Sequence, residues 1–239
     1  MKYYFAYIAG VPPQLNDKII LGSAFHSAVE FFFTARLKGQ TAAPAAVSDA
    51  FDQHFAACRQ QPNITWRTPP EKTRRRGLAF VDYFLQQIAP AIQPLMCEQE
   101  LCVEIPDSGI KLKGVIDLVE EDFSITDFKT STSKWPPGKA QTSLQMIIYK
   151  YLFDQTYGGV NSTLKYEILY AKNASRIQRQ TMPVNATAES TSQMLTIVRH
   201  VTENIRHGVF YRRENHGCRF CEYKKICFDK NPPETIPGD

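Results

Sequence analysis

The sequence predicts a mixed α/β domain, a central mixed β-sheet flanked by α-helices. Three observations predict it. Apolar residues recur at helical spacing through the first third of the chain, the middle switches to short β-rich segments, and helical and strand patterns then alternate to the end. This order is not the regular alternation of a parallel βαβ array.

The first helix is expected around Leu21–Leu37, where Leu21, Phe25, Ala28 and Phe32 mark one face. A second is expected at about Ala45–Arg59. A third, about Glu71–Ile88, is stopped by Pro90 and Pro94. Strands follow at Met96–Ile105, Lys111–Val119 and Ser124–Lys129, separated by the turn Pro106-Asp107-Ser108-Gly109 and an acidic turn at Glu120–Asp122. After a polar loop, Thr130–Lys139, a helix is expected from about Gln141 to Tyr157, ended by Gly158-Gly159. Strands near Leu164–Ala171 and Ser175–Pro183 precede a long helix at about Ala186–His207. Residues 208–239 form a cysteine-containing C-terminal segment, with a frayed end expected at NPPETIPGD.

At 239 residues and 27.2 kDa the chain suits one domain. Its 43% hydrophobic and 22% charged residues support a real core and argue against disorder. The net charge of +4 permits a nucleic-acid partner without arguing for one, because clustering on one face is the informative quantity. No apolar run reaches membrane-spanning length. The start MKYYFAYIAG carries three tyrosines and no small-x-small cleavage site, unlike a signal peptide. A cytoplasmic location is therefore expected. There cysteines stay reduced, and close spacing points to metal or cluster binding rather than disulfides.

The chemistry centres on Gly114-Val115-Ile116-Asp117 and, ten residues beyond that aspartate, Asp127-Phe128-Lys129. An acid-x-Lys triplet is weak alone: random placement of 24 acidic residues and 15 lysines gives about one and a half. The chain has two, the other being Glu222-Tyr223-Lys224. Placement is what discriminates. Asp127 and Lys129, two apart on a strand, share a face, and a hairpin brings Asp117 from the preceding strand beside them. Two carboxylates amid Val115, Ile116, Leu118, Ile125 and Phe128 call for a hard cation such as Mg²⁺, bound through carboxylate, carbonyl and water oxygens. The lysine beside it can orient the attacking water or offset phosphate charge. Pattern alone is equally compatible with a solvated surface hairpin.

GVID followed by TDFKT resembles motifs II and III of the PD-(D/E)XK nucleases in their RecB-like form, G-x-x-D followed by D-x-K. Three further features stand in the family's order. Gly22-Ser23-Ala24-Phe25-His26 resembles the G-x-x-x-H element; read by itself, His26 lies on an apolar stripe with Gly22, Val29 and Phe33. Gln145-Met146-Ile147-Ile148-Tyr149 resembles the Q-x-x-x-Y motif; Gln145 and Tyr149 are one helical turn apart, with Gln141 extending the row. Cys218, Cys221 and Cys227, spaced C-x₂-C-x₅-C, resemble the iron–sulfur subset that includes AddB-type and CRISPR-associated nucleases. A [4Fe–4S] cluster needs four ligands. In those relatives the fourth cysteine precedes an aromatic segment like Lys2-Tyr3-Tyr4-Phe5, and here Met1 stands in that region. A Zn²⁺ site with His216 as fourth ligand is the alternative.

The resemblance implies a restriction-endonuclease-like core and Mg²⁺- or Mn²⁺-dependent cleavage of DNA by an exonuclease in repair, recombination or CRISPR-type processing. Helicase, recombination or CRISPR proteins are the implied partners. It assigns His26, Asp117, Asp127 and the Phe128 carbonyl to the metal, Lys129 to the water and transition state, and Gln145 and Tyr149 to positioning lysine or substrate. Glu100, on the strand before, is a further acidic candidate. DNA contacts are expected from Arg74, Arg75 and Arg76, with Trp135 as a stacking platform, against the plainer reading of a solvated basic face and a packed loop residue. The rival is a non-catalytic nuclease-fold subunit that grips DNA or a helicase.

Overall fold

A computed structural model of the chain describes residues 1–219 and 221–228, without the side chains of His216 and Arg219. The frayed end expected at NPPETIPGD lies outside the described residues. After a π-helical turn, Tyr4–Ile8, a two-residue strand β1 (Leu15–Asn16) leads into α1 (Asp17–Leu37). Asn16 caps this helix, its side-chain oxygen accepting from the amides of Lys18 and Ile19 at 3.0 and 3.1 Å. The helix begins one turn earlier than hydrophobic spacing suggests because the cap, not the apolar stripe, sets its start.

α2 (Pro44–Arg59) and α3 (Pro70–Gln87) each begin at a proline whose missing N–H costs nothing in a first turn. Between them β2 (Ile64–Thr65) pairs in parallel with β1. Gly77 lets α3 close on α2: a Cβ there would stand 2.1 Å from the Phe51 ring.

The main sheet holds β3 (Pro94–Ile105), β4 (Ile110–Glu120), β5 (Ser124–Ser131), β6 (Thr163–Tyr170) and β7 (Gln178–Val184), in that order. β5 and β6 are parallel, joined by a crossover through α4 (Leu144–Tyr157), and every other neighbouring pair is antiparallel. α1, α2 and α3 cover one face, where Phe25, Phe33, Phe80 and Phe84 pack with Phe128 and Leu118 from the sheet. α4 covers the other face, burying Met146, Leu152 and Phe153 against Ile116, Ile125 and Ile168. α5 (Ala188–Arg206) lies outside α4, with Met194 meeting Ile147 and Tyr151. Among the described residues two short elements follow, a 3₁₀ turn at His216–Arg219 and α6 (Lys224–Cys227). The result is the α/β/α layering of a restriction-endonuclease-like core.

The expected strands and helices are all present, with ends shifted by a few residues. Gln141 precedes α4 rather than joining it. Its side chain clamps the end of β7, donating to the Pro183 carbonyl at 2.8 Å and accepting from the Asn185 amide at 3.1 Å. No helix of the described residues is long and apolar enough to cross a membrane.

Candidate active site

Two irregularities in the sheet build the site. β4 and β5 pair at only two positions, Leu118 with Thr126 and Val119 with Ile125, and then separate. In the gap, Asp117 Oδ2 accepts the backbone N–H of Phe128 at 2.9 Å, so a side chain replaces the ladder. Side-chain alternation also breaks here: Ile116 and Val119 face the α4 layer while Leu118 faces the α1 layer. On the other side of Asp117, β3 and β4 register Cys97 with Leu118 and Gln99 with Ile116, which sets Glu98 opposite Asp117. Glu98 has φ +47°, a left-handed backbone that a glutamate rarely adopts and that recurs where function dictates geometry.

α1 closes the cluster from the sheet's other side. His26 Nδ1 stands 3.3 Å from Asp117 Oδ2, and ligand atoms of His26, Glu98 and Asp117 all lie within 4.8 Å of one another. Asp127 on β5 is fully buried. One of its oxygens meets the Lys129 ammonium, while Oδ1 has no hydrogen-bond partner among the described residues. As strand geometry requires, Ile125, Asp127 and Lys129 share a face and Phe128 points oppositely into the aromatic core. Ser23, His26, Glu30, Glu98, Asp117 and Tyr149 line an open cleft of about 410 Å³.

The electrostatics are those of crowded acids. Burial raises Asp117 to about 6, against Lys129 and the Phe128 amide, which pull it down. Burial followed by the Asp117 charge raises Asp127 to about 6. Burial, then Asp117 and Glu30, lift Glu98 to about 7. Burial, followed by the Lys129 charge, holds His26 below its ordinary value, so its imidazole is neutral and able to ligate near neutral pH.

Glycine is needed at 114 because α4 passes directly over β4: a Cβ there would lie 2.8 Å from Leu152 Cδ1 and 3.5 Å from the Tyr149 ring. This close approach brings Tyr149 to the cleft. Gln145 donates to the Tyr149 hydroxyl at 2.9 Å, and its carbonyl accepts from Tyr166 OH at 3.5 Å. Tyr166 in turn lies under Lys129, 5.7 Å from ring centre to Nζ. Gln145 thus holds Tyr149 on one side and reaches the lysine through Tyr166 on the other.

A family model described as the PD-(D/E)XK nuclease superfamily matches residues 1–228. The chain belongs to this superfamily. A crystal structure described as "Putative exonuclease" from Eubacterium rectale is similar over 98% of this chain and 94% of that one, at 13% identity and a TM-score of 0.51, a likeness of fold. A structure described as SSO0001 aligns over 95% of this chain and 92% of that one, at 16% identity and a TM-score of 0.38. No curated protein matches the chain.

Within this PD-(D/E)XK chain, six of the expected site residues converge: His26, Asp117, Asp127, Phe128, Lys129 and Tyr149, with Gln145 behind Tyr149. The expected acidic contributor on β3 is corrected. Glu100 pairs with Lys113 on the exposed side at 2.7 Å and sits opposite Val115, whereas Glu98 enters the cluster. Glu98 has the same strand parity as Glu100, so only the register with Asp117 separates them.

The basic run divides. Arg74 is held by Asp52 through Nε at 2.7 Å and a second contact from Nη2, and Arg75 is exposed. Arg76 is buried in a different cleft. Trp135 is half-buried, its ring 5.2 Å from Tyr166 and capped by Lys139 Nζ at 3.6 Å. Cys218, Cys221 and Cys227 are free thiols, and Cys221 and Cys227 pack with Tyr4, Phe5 and Tyr223. The His216 side chain lies outside the described residues.

Proposed function

We propose that this nuclease-family chain is a divalent-metal-dependent deoxyribonuclease, an exonuclease of the RecB-like branch. The observation that carries the reading is the convergence of His26, Glu98 and Asp117 beside the Asp127–Lys129 pair. The donor set fits a hard divalent ion: one neutral imidazole, carboxyls that burial, joined at Glu98 by the Asp117 charge, raises to about 6 and 7, and a buried Asp127 oxygen without a partner. His26, Glu98, Asp117, Asp127 and the Phe128 carbonyl would hold Mg²⁺ or Mn²⁺, which supplies Lewis acidity toward a phosphoryl oxygen and acidifies bound water.

The chain's own residues do the rest. Asp127 fixes the Lys129 ammonium at the mouth of the cluster, where Nζ donates to a non-bridging phosphate oxygen and offsets the charge that builds during attack. The Phe128 amide fixes the Asp117 carboxylate, so one oxygen direction is set before any ligand arrives. Tyr149, held by Gln145, walls the cleft on the α4 side. Water oxygen bonds to phosphorus and gives up a proton, the bridging P–O bond breaks, and the departing oxygen takes up a proton, leaving a phosphate end and a hydroxyl end.

Incubation with linear single- and double-stranded DNA is the test. Cleavage is expected with Mg²⁺ or Mn²⁺ and not with EDTA. Lys129→Ala should abolish cleavage while DNA binding persists; metal-dependent cutting by that variant rejects the assignment.

The thiols of Cys218, Cys221 and Cys227 are proposed to supply three of the four ligands of a [4Fe–4S] cluster, with Zn²⁺ as the alternative ion. Their tight spacing and the packing of Cys221 and Cys227 against the N-terminal aromatic segment support this. A colourless anaerobic preparation that binds zinc alone removes the iron–sulfur assignment.

A further inference from the structure

A second cleft, of about 430 Å³, opens beyond Lys129 where β5 runs into the polar loop. Its walls carry four cations, Lys18, Arg76, Lys134 and Lys139, the hydroxyls of residues 130–133, and no carboxylate among the described residues. Arg76 is 94% buried, yet its Nε makes no hydrogen bond. The charge that faces it is Asp17, and the two form no direct ion pair. A guanidinium N–H removed from water without a hydrogen-bond partner is costly, unless a ligand supplies one. Lys139 adds to the positive crowding: burial and then the nearby Lys129 charge lower its affinity for its own proton.

Two elements run from this cleft to the candidate active site. Lys18 and Leu21 on the first turns of α1 line it, while Ser23 and His26 further along line the metal cleft. From Lys18 to His26 is roughly 12 Å at helical rise, a few nucleotides of backbone. On β5, Thr130 directly follows Lys129.

We propose that this cleft is a phosphate subsite, in which Arg76 and Lys139 hold a phosphate of the substrate strand next to the one being cut. The inference takes its ligand, a nucleic-acid phosphate, from the nuclease reading. Guanidinium forks suit phosphate because paired N–H donors match its oxygens. The phosphate is either a strand end or an internal phosphodiester.

The test is fluorescence anisotropy in EDTA, where no cutting occurs, on single-stranded oligonucleotides with 5′-phosphate, 3′-phosphate or no terminal phosphate. Arg76→Met and Lys139→Gln are each expected to weaken binding about tenfold, and Arg199→Gln, on the exposed face of α5, to leave it within twofold. If the ligand is a terminal phosphate, wild type prefers one phosphorylated end and both variants lose that preference. If it is internal, end phosphorylation is immaterial, and one neutral methylphosphonate at a fixed position weakens wild type but not Arg76→Met. Thermal melting separates folding from binding. Removing a buried guanidinium that forms no direct ion pair should leave stability unchanged or raise it. Loss of stability in Arg76→Met with unchanged DNA affinity would make Arg76 a structural partner of Asp17 and overturn the proposal. So would wild-type affinity in Lys139→Gln, whose side chain is exposed and whose loss does not threaten folding. Wild-type protein that binds no DNA also overturns it. Persistence of cutting in Lys129→Ala bears on the active-site reading alone.

Discussion

The backbone amide of Phe128 donates to the side chain of Asp117 at 2.9 Å, across strands that have stopped pairing. This bond holds one acid of the cluster in place without neutralising it. The other groups around it are acids or a neutral imidazole, and Lys129 is engaged by Asp127. The site is therefore held together by geometry while its charges oppose one another.

Replacing Asp117 by Asn separates those two effects. The amide oxygen can still accept from Phe128, so the local structure persists. Because burial raises the native carboxyl to about 6, its removal should increase metal-free stability at pH 8 by about 1–3 kcal/mol. DNA cleavage should fall at least about a hundredfold. Chemical denaturation in EDTA, read beside a gel assay, checks both halves.

The same shifts set the pH response. Carboxyls with raised native values bind protons that the unfolded chain has already lost. Their contribution to metal-free stability is present at low pH and disappears as pH climbs through about 6 for Asp117 and Asp127 and about 7 for Glu98. The difference in stability between wild type and Asp117→Asn should widen between pH 4 and 7. Divalent-ion binding must expel these protons, so affinity for Mn²⁺ should fall as pH drops from 7.5 to 5.5. Calorimetry in two buffers of different ionisation enthalpy would register proton release at pH 6 and little at pH 8.

Glu98 distinguishes this site from a two-aspartate one. Glu98→Gln should weaken divalent-ion affinity at least about tenfold, whereas Glu100→Gln, whose parent pairs only with exposed Lys113, should leave it unchanged. Mn²⁺ titration of both variants decides between the two glutamates.

Gly114 predicts a packing defect with a functional echo. Gly114→Ala places a Cβ against fully buried Leu152 and should cost about 1–3 kcal/mol while shifting Tyr149 at the cleft. Leu152→Val should recover part of that loss in the double variant, since it removes the atom the new methyl meets. Additive destabilisation in a double-mutant cycle would show that the two positions do not compete for space.

The sequence by itself determined the element order and the pairing of Asp127 with Lys129. Both depend on local geometry: helical and strand periods are written in neighbouring residues, and residues two apart on a strand share a face. It also set Asp117 one short hairpin before Asp127, while leaving a solvated hairpin equally open. Only the tertiary structure decided that Glu98 and not Glu100 completes the cluster, since both have the same parity and the choice rests on register with β4 and a left-handed turn of the backbone. It alone divided the run at 74–76, giving Arg74 to Asp52 and burying Arg76 beside the second cleft. Charge runs look uniform in sequence; long-range packing fixes each side chain's partner, and the free energy of a charge depends on that partner and its access to water.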